Sequence, residues 1–196
     1  MRADMAEPSA AAPSGDDAEL AALMVRYQQG QIAAFDELYS RSMPMIRGYL
    51  AALTRDAARV ADLTQECYLQ IHRSRRTYDP ARPLRPWLLA VARHVRLGDE
   101  RRRRRRDARE VPGLEMLPEV PVPAEVEGLA DRQVLARALA SLPADRREAL
   151  LLHHVYGLSF RETARVVGVS EVAARIRASR GMAELRAALG PRESRG

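Results

Sequence analysis

The sequence predicts an all-α protein made of two small helical domains joined by a flexible linker. Apolar residues recur with helical spacing over two stretches, from Asp17 to about Arg106 and from Val134 onward. No segment shows the sustained apolar–polar alternation that is typical of a β-strand. Between these stretches, residues 107–129 contain four prolines, which exclude a long helix. We therefore expect a disordered tail at 1–17, a first domain at 18–106, the linker at 107–129, a second domain at 130–190 and a tail at 191–196.

Three apolar stripes and a proline-started segment predict the helices of the first domain. The stripes contain Leu20, Leu23, Met24 and Tyr27; then Phe35, Leu38, Tyr39, Met45, Ile46, Tyr49, Leu50 and Leu53; then Val60, Leu63, Cys67, Tyr68 and Ile71. After breaks at Pro80 and Pro83, Pro86 marks a helix start, where its missing N–H costs little. That helix should turn Trp87, Leu88, Val91 and Val95 inward and continue into Arg101–Arg106.

The charge is divided unevenly along the chain. The formal net charge is +6, and all 32 basic residues are arginines. Residues 73–109 hold fourteen arginines against four acids, whereas residues 110–131 hold six acids and no arginine. The basic block indicates an anionic partner. The acidic, proline-bearing block beside it indicates a linker rather than a continuation of one core.

The composition argues against an enzyme, a metalloprotein and a membrane protein. No apolar run approaches the roughly 18–20 residues that span a bilayer, and the N-terminus lacks a signal-peptide core. Cys67 is the only cysteine, so an intrachain disulfide is excluded, and we expect a cytoplasmic protein. The four histidines show no metal-ligand spacing with it, and Asp62 with Glu66 lack a third ligand. We expect no cofactor and no catalytic residues.

Residues 158–186 predict a helix-turn-helix. Ser159 can cap a short helix, with Glu162 completing a capping box, and Gly168 allows a tight turn. Ser170 can cap the second helix, at 170–184, in which Val172 and Ile176 are expected to face inward. Arg175, Arg177 and Arg180 would then project outward into a DNA major groove. The alternative is an ordinary helical hairpin with a solvated charged face.

Three further motifs precede the helix-turn-helix. In this order, the motifs and the helix-turn-helix resemble those of an extracytoplasmic-function (group 4) sigma factor, which is a two-domain bacterial transcription initiation factor. The stretch 62–71 (DLTQECYLQI) is similar to the family's D-x-x-Q-E-hydrophobic motif. Residues 85–94 (RPWLLAVARH) resemble its W-L-x-x-I-A-R-N motif, and residues 142–150 (LPADRREAL) resemble its L-P-x-x-x-R-E motif. His94, Gly98 and the stretch 173–177 depart from the pattern in elements that read promoters, which leaves the preferred promoter sequence open.

The resemblance implies a role for each element. The helix at 57–73 would bind the β′ clamp helices of core RNA polymerase through Asp62, Gln65, Glu66 and Leu69. The second domain would also meet the β flap. The segment 73–106 would bind and help melt the −10 promoter element through Arg75, Arg76, Tyr78, Arg82, Arg85, Arg93 and Arg96. Its aromatic residues could stack unpaired bases, although Trp87 also fits a core position.

The second domain would recognise the −35 promoter element. The expected contacts are Arg161, Arg165, Ser170, Glu171, Arg175, Arg177 and Arg180. Arg161 and Arg165 are better placed for phosphates, and one or two of the last three arginines should read bases. The family also implies an anti-sigma factor as a protein partner and a linker that threads toward the RNA channel of the polymerase. From the acids and prolines of the linker we expect it to contact polymerase as a mimic of RNA, and the alternative is a solubilising tether whose length alone matters. We expect no direct insertion into a membrane.

Two other classes of function remain open at this point. A stand-alone helix-turn-helix repressor or activator would require a dimerisation helix and a ligand or receiver domain, and neither is evident. An RNA-binding or chaperone-like protein would explain the arginine block but not residues 158–186. Stoichiometric binding to core polymerase separates the sigma factor from both.

Overall fold

The computed structural model describes residues 15–54, 56–107 and 129–190, and these residues form helices with no β-strand among them. The first domain comprises α1 (Gly15–Gln28), α2 (Ala33–Leu53), α3 (Ala57–Ser74) and α4 (Leu84–Asp107), with a 3-10 turn at Arg75–Thr77. The second comprises α5 (Leu129–Ser141), α6 (Ala144–Leu150), α7 (Phe160–Val167) and α8 (Glu171–Leu189). A π-helical turn, Leu151–Val155, extends α6. The predicted all-α, two-domain architecture is confirmed.

The expectation of disorder through residue 17 was wrong for its last three residues. Helix α1 begins at Gly15, and the Asp17 carboxylate is buried, where it accepts a 2.9 Å hydrogen bond from the backbone N–H of Arg85. Asp17 thus satisfies a first-turn N–H of α4 from a distant part of the chain. The rest of the predicted N-terminal tail, the acidic linker apart from its two end residues, and the C-terminal tail after Gly190 lie outside the described residues.

The predicted apolar stripes form the core of the first domain. Met24, Leu38, Ile46, Tyr49 and Leu50 are fully buried against Ile71, Leu84, Leu88 and Leu89. Trp87 and Val91 are half-buried at the edge of this core. Asp56 caps α3 by accepting from the backbone N–H of Ala58 at 3.0 Å. This capped helix is held by its apolar side, which leaves its other side facing solvent.

The second domain is built on a close approach of α6 and α8. Leu139, Leu142, Leu150, Leu151 and Leu185 are buried in its core. Gly181 lies where α8 meets α6, and a Cβ atom there would stand 2.9 Å from the carbonyl oxygen of Arg146. Only glycine therefore permits this separation of the two helices.

The two domains pack against each other, a feature that the predicted flexible linker did not indicate. Leu152, Leu158, Val166 and Val167 of the second domain join the apolar cluster of the first. Helix α7 packs on α4, and α6 contacts α2. We call this surface the inter-domain contact. Its polar centre involves Arg93 and Arg96, which the sequence predicts to bind DNA.

Candidate nucleic-acid interface

Helices α7 and α8 form the predicted helix-turn-helix. The Ser159 hydroxyl oxygen accepts from the Glu162 N–H at 3.2 Å, and the Glu162 carboxylate accepts from the Ser159 N–H at 2.8 Å. Gly168 ends α7 with φ of +75°, and its N–H donates to the carbonyl of Ala164 at 2.8 Å. Ser170 caps α8 by accepting from the Ala173 N–H at 3.2 Å. Both caps and the glycine turn are confirmed.

The predicted orientation of α8 was wrong for its apolar residues. Val172 and Ile176 face solvent, with 67% and 45% of their surfaces exposed. The buried side of α8 instead consists of small residues and one leucine: Ala174, Ala178, Gly181 and Leu185. The physical reason is the close approach of α6, which leaves no space for branched side chains between the helices.

The residues predicted to bind the −35 element lie around this exposed surface. Ser170 and Glu171 are exposed at the N-terminus of α8, and Arg180 is exposed about two and a half turns further along the helix. The Arg175 guanidinium lies over the Phe160 ring at 4.7 Å, and the Arg177 Nε lies 3.4 Å from a carboxylate oxygen of Asp145. On α7, the two expected phosphate contacts, Arg161 and Arg165, are both exposed.

The predicted polymerase-binding residues share the solvent side of α3. Asp62, Gln65 and Leu69 are exposed and Glu66 is half-exposed, whereas Leu63, Cys67 and Ile71 are buried on the opposite side. Leu69 is 52% exposed and adds an apolar side chain to this otherwise polar side of the helix. Burial raises the pKa of the Cys67 thiol to about 12, with a smaller effect of Glu66, so this cysteine stays an unreactive thiol at neutral pH.

The residues predicted to bind the −10 element are divided between exposed and buried positions. Arg76 and Arg82 are exposed, and half-buried Arg85 pairs with Asp16 at 3.0 Å. Arg75 is half-buried, with its guanidinium 5.5 Å from the centre of the Tyr27 ring. Tyr78 is only 3% exposed, and its hydroxyl donates to the carbonyl of Arg82 at 2.7 Å. The Tyr78 ring therefore does not face solvent in this arrangement.

Gln28 shapes the loop between α3 and α4, a role that the sequence did not reveal. Its amide nitrogen donates to the carbonyls of Arg75 at 2.7 Å and of Tyr78 at 2.9 Å. Burial raises the pKa of Tyr78 to about 12, with further contributions from Asp17 and Asp79, so its hydroxyl remains a donor. The Gln28 side chain of α1 thus fixes the backbone of this arginine-bearing loop.

Arg93 and Arg96 of α4 are held by Glu148 of the second domain. The Glu148 carboxylate lies 3.2 Å from Arg93 Nε and 3.3 Å from Arg96 Nη2, and it accepts a 2.5 Å hydrogen bond from the Tyr49 hydroxyl. Burial, and then Glu148, raises the pKa of Tyr49 well above its ordinary value, so the tyrosine stays a donor. Glu148 and Tyr49 were not predicted as functional residues, because their pairing depends on how the two domains meet.

A third arginine, Arg147 of the second domain, strengthens the inter-domain contact. Arg147 Nη1 donates to the carbonyl of Ala52 at the end of α2, and Arg147 Nη2 donates to the carbonyl of Leu142 in its own domain. Arg147 and Glu148 both belong to the L-P-x-x-x-R-E motif, so this motif carries the polar part of the contact. No group of three or more possible metal ligands occurs among the described residues. Nor is any described helix long and apolar enough to cross a bilayer.

A capped helix-turn-helix, an arginine-rich helix and an acidic exposed face together define a two-domain helical DNA-binding protein with a protein-binding surface. Residues 38–107 match the family model described as Sigma-70 region 2, and residues 132–185 match Sigma-70, region 4. The RNA polymerase sigma factor CarQ of Myxococcus xanthus is 36% identical over 170 residues, which cover 87% of this chain and 97% of CarQ. The ECF sigma factor SigL of Mycobacterium tuberculosis is 32% identical over 142 residues, covering 72% of this chain and 80% of SigL.

The chain therefore belongs to the sigma-70 family, as an extracytoplasmic-function sigma factor. It is a non-enzymatic transcription initiation factor that directs RNA polymerase to promoters. This resolves the choice between the sigma factor and the other two classes of function in favour of the sigma factor.

Solved structures agree with this fold. CnrH, in complex with the cytosolic domain of CnrY, superimposes with a TM-score of 0.62 at 26% identity, covering 89% of this chain and 97% of CnrH. The sigma factor RpoE of Bartonella quintana, in complex with the anti-sigma factor NepR, superimposes with a TM-score of 0.70 at 24% identity, covering 81% of this chain and 98% of RpoE.

Proposed function

We propose that the solvent side of α3 is the main contact with core RNA polymerase, through the β′ clamp helices, and that the second domain meets the β flap. Asp62 and Glu66 are like charges one helical turn apart, an arrangement that destabilises a helix slightly unless a basic surface faces it. Exposed Leu69 adds apolar area beside these acids. A basic protein surface with an apolar centre would complement both features.

The promoter is then bound by one element from each domain. The loop after α3 and helix α4 bind the −10 element through their arginines, Arg75, Arg76, Arg82, Arg85, Arg93 and Arg96. Tyr78, whose ring is buried, instead holds the loop by donating its hydroxyl to the carbonyl of Arg82. The helix-turn-helix binds the −35 element through Arg161, Arg165, Ser170, Glu171, Arg175, Arg177 and Arg180. The single observation that carries this proposal is the capped helix-turn-helix, which presents the N-terminus of α8 to solvent.

An anti-sigma factor is the proposed regulator, and the cytoplasm is the proposed place of action. CnrH, which is 26% identical in sequence, is seen bound to the cytosolic domain of CnrY. A comparable partner could cover the α3 face and the exposed side of α8 together. Such a partner must bury apolar surface such as Leu69, because charges at the rim of an interface contribute little net affinity.

The polymerase contact is tested by reversing the charges of Asp62 and Glu66 to arginine. We expect the double variant to lose binding to core polymerase in a fluorescence-anisotropy titration and to lose promoter-dependent transcription. Its helical circular dichroism should be unchanged, because neither side chain packs in the core.

The matched control reverses Glu19 and Asp36, which are exposed acids on α1 and α2. This variant carries the same change in net charge and should bind core polymerase normally. Normal transcription by the Asp62/Glu66 variant would remove α3 from the interface, whereas equal losses in both variants would show only a general effect of charge.

A further inference from the structure

We propose that Val172 and Ile176 recognise the methyl groups of thymines in the −35 element. The inference rests on the proposed contact of α8 with that element, and it names which side chains select the bases. Val172 is 67% exposed and Ile176 is 45% exposed, although both are branched apolar side chains on a well-packed helix. Their exposure has no explanation in the folding of the domain.

The two side chains lie at the centre of the outward face of α8. Each residue advances a helix by about 100°, so residues 172 and 176 share one line, and Ala174 and Ala178 lie on the opposite side. Those two alanines are fully buried. Val172 is in the first turn, immediately after the capping residue Ser170 and Glu171. N-terminal residues of a recognition helix are the ones that reach base edges in the major groove.

The neighbouring arginines flank this apolar line. Arg175 and Arg177 project to its two sides, where each is engaged within its own domain. The Arg175 guanidinium stacks on Phe160 at 4.7 Å, and the Arg177 Nε is 3.4 Å from an Asp145 carboxylate oxygen. Guanidinium groups on both sides of a helix are suited to the phosphates that border a groove. Exposed Arg180, one turn beyond Ile176 on the same face, also favours an anionic occupant, DNA, over an apolar segment of a protein.

The chemistry of the groove identifies the target. Valine and isoleucine side chains cannot form hydrogen bonds, so they cannot distinguish the donors and acceptors of base edges. The thymine C5-methyl group is the apolar group that base edges present in the major groove, and apolar side chains recognise it by contact. We therefore expect thymine, on one strand or the other, at the one or two −35 positions opposite Val172 and Ile176.

The test uses holoenzyme, formed from the full chain and core polymerase, on a promoter selected from genomic fragments. Each thymine of the −35 element is replaced in turn by deoxyuridine, which lacks only the methyl group and keeps every hydrogen-bonding atom. Wild-type holoenzyme should lose about fourfold in affinity at one or two positions, as expected for one buried methyl-sized group. The Val172→Ala and Ile176→Ala variants should bind the thymine promoter with a similar loss and no longer respond to deoxyuridine at their own position.

Leu189→Ala supplies the matched control. Leu189 is an exposed apolar residue at the far end of the same helix, and this variant should keep both wild-type affinity and the response to deoxyuridine. Wild-type holoenzyme that responds to deoxyuridine at no −35 position would overturn the inference, and so would variants that respond as the wild type does. If the Val172→Ala and Ile176→Ala variants lose binding only to a protein partner and still respond to deoxyuridine as the wild type does, this face of α8 belongs to that partner instead. If no promoter is selected at all, the proposed promoter contact itself fails.

Discussion

At the scale of single residues, the absence of a side chain at position 181 determines how the DNA-binding domain is packed. The carbonyl oxygen of Arg146 would lie only 2.9 Å from a Cβ atom of residue 181, which is closer than a Cβ contact allows. Gly98, in the interior of α4, is different, because a Cβ there would meet only Arg102 Nη1 at an ordinary distance of 3.9 Å. The same substitution should therefore have opposite effects at the two positions.

Gly181→Ala is expected to lower the free energy of unfolding by about 1–3 kcal/mol, because the added methyl group forces α6 and α8 apart. Gly98→Ala, the matched control, should raise it by about 0.5–1 kcal/mol, because alanine favours a helix interior more than glycine does. Urea denaturation followed by circular dichroism measures both. A Gly181→Ala variant as stable as the wild type would contradict the close approach of these helices.

At the scale of the helix, α7 depends on its caps. Eight residues are too few for a stable isolated helix, so its ends and its packing must hold it. The capping box of Ser159 and Glu162 satisfies backbone N–H groups at the start, and Gly168 closes the end. Because α7 packs on both α8 and α4, fraying of its first turn would loosen the recognition helix as well.

Ser159→Ala is expected to destabilise the protein by about 1 kcal/mol through loss of the capping hydrogen bond. Ser179→Ala, at an exposed position inside α8, should leave the stability unchanged or raise it slightly, because alanine is the better helix former. Thermal denaturation at one protein concentration compares the two variants. Equal melting temperatures would mean that the capping box contributes nothing to α7.

Whether a feature could be predicted from the sequence depends on how far apart in the chain its interacting residues lie. The caps of α7 and α8 act across three residues, so serine, glutamate and glycine at set spacings were sufficient to place them. The orientation of α8 was mispredicted because valine and isoleucine four residues apart resemble a core stripe. Its true buried side consists mainly of small residues selected by the neighbouring helix α6, which local spacing does not reveal.

At the scale of the whole molecule, the inter-domain contact joins residues far apart in the sequence. The bond from Tyr49 to Glu148 spans 99 residues and that from Arg147 to Ala52 spans 95, so no local pattern could indicate either. The carboxylate of Glu148 forms ion pairs with the guanidinium groups of Arg93 and Arg96, which are proposed to bind the −10 element. Arg96 is only 6% exposed at this contact, and its two terminal nitrogens pair with Glu148 and Glu100, so a DNA phosphate can reach it only when the domains separate.

Glu148→Gln is expected to shift the protein toward separated domains. The substitution keeps the shape of the side chain but leaves two arginines of α4 without their buried carboxylate, a change that typically costs about 3–5 kcal/mol. Small-angle X-ray scattering should show a larger radius of gyration, with unchanged helical circular dichroism. The −10 single strand should bind more tightly, because Arg93 and Arg96 no longer pair with the Glu148 carboxylate, although Arg96 keeps its pair with Glu100.

Two variants make this result specific. Glu184→Gln removes a carboxylate that pairs with Arg146 inside the second domain, so it should leave the radius of gyration at the wild-type value. Tyr49→Phe removes one donor to Glu148 but keeps both arginine pairs, so it should open the contact less than Glu148→Gln does. If Glu148→Gln is as compact as the wild type, or if Glu184→Gln expands equally, Glu148 does not hold the two domains together.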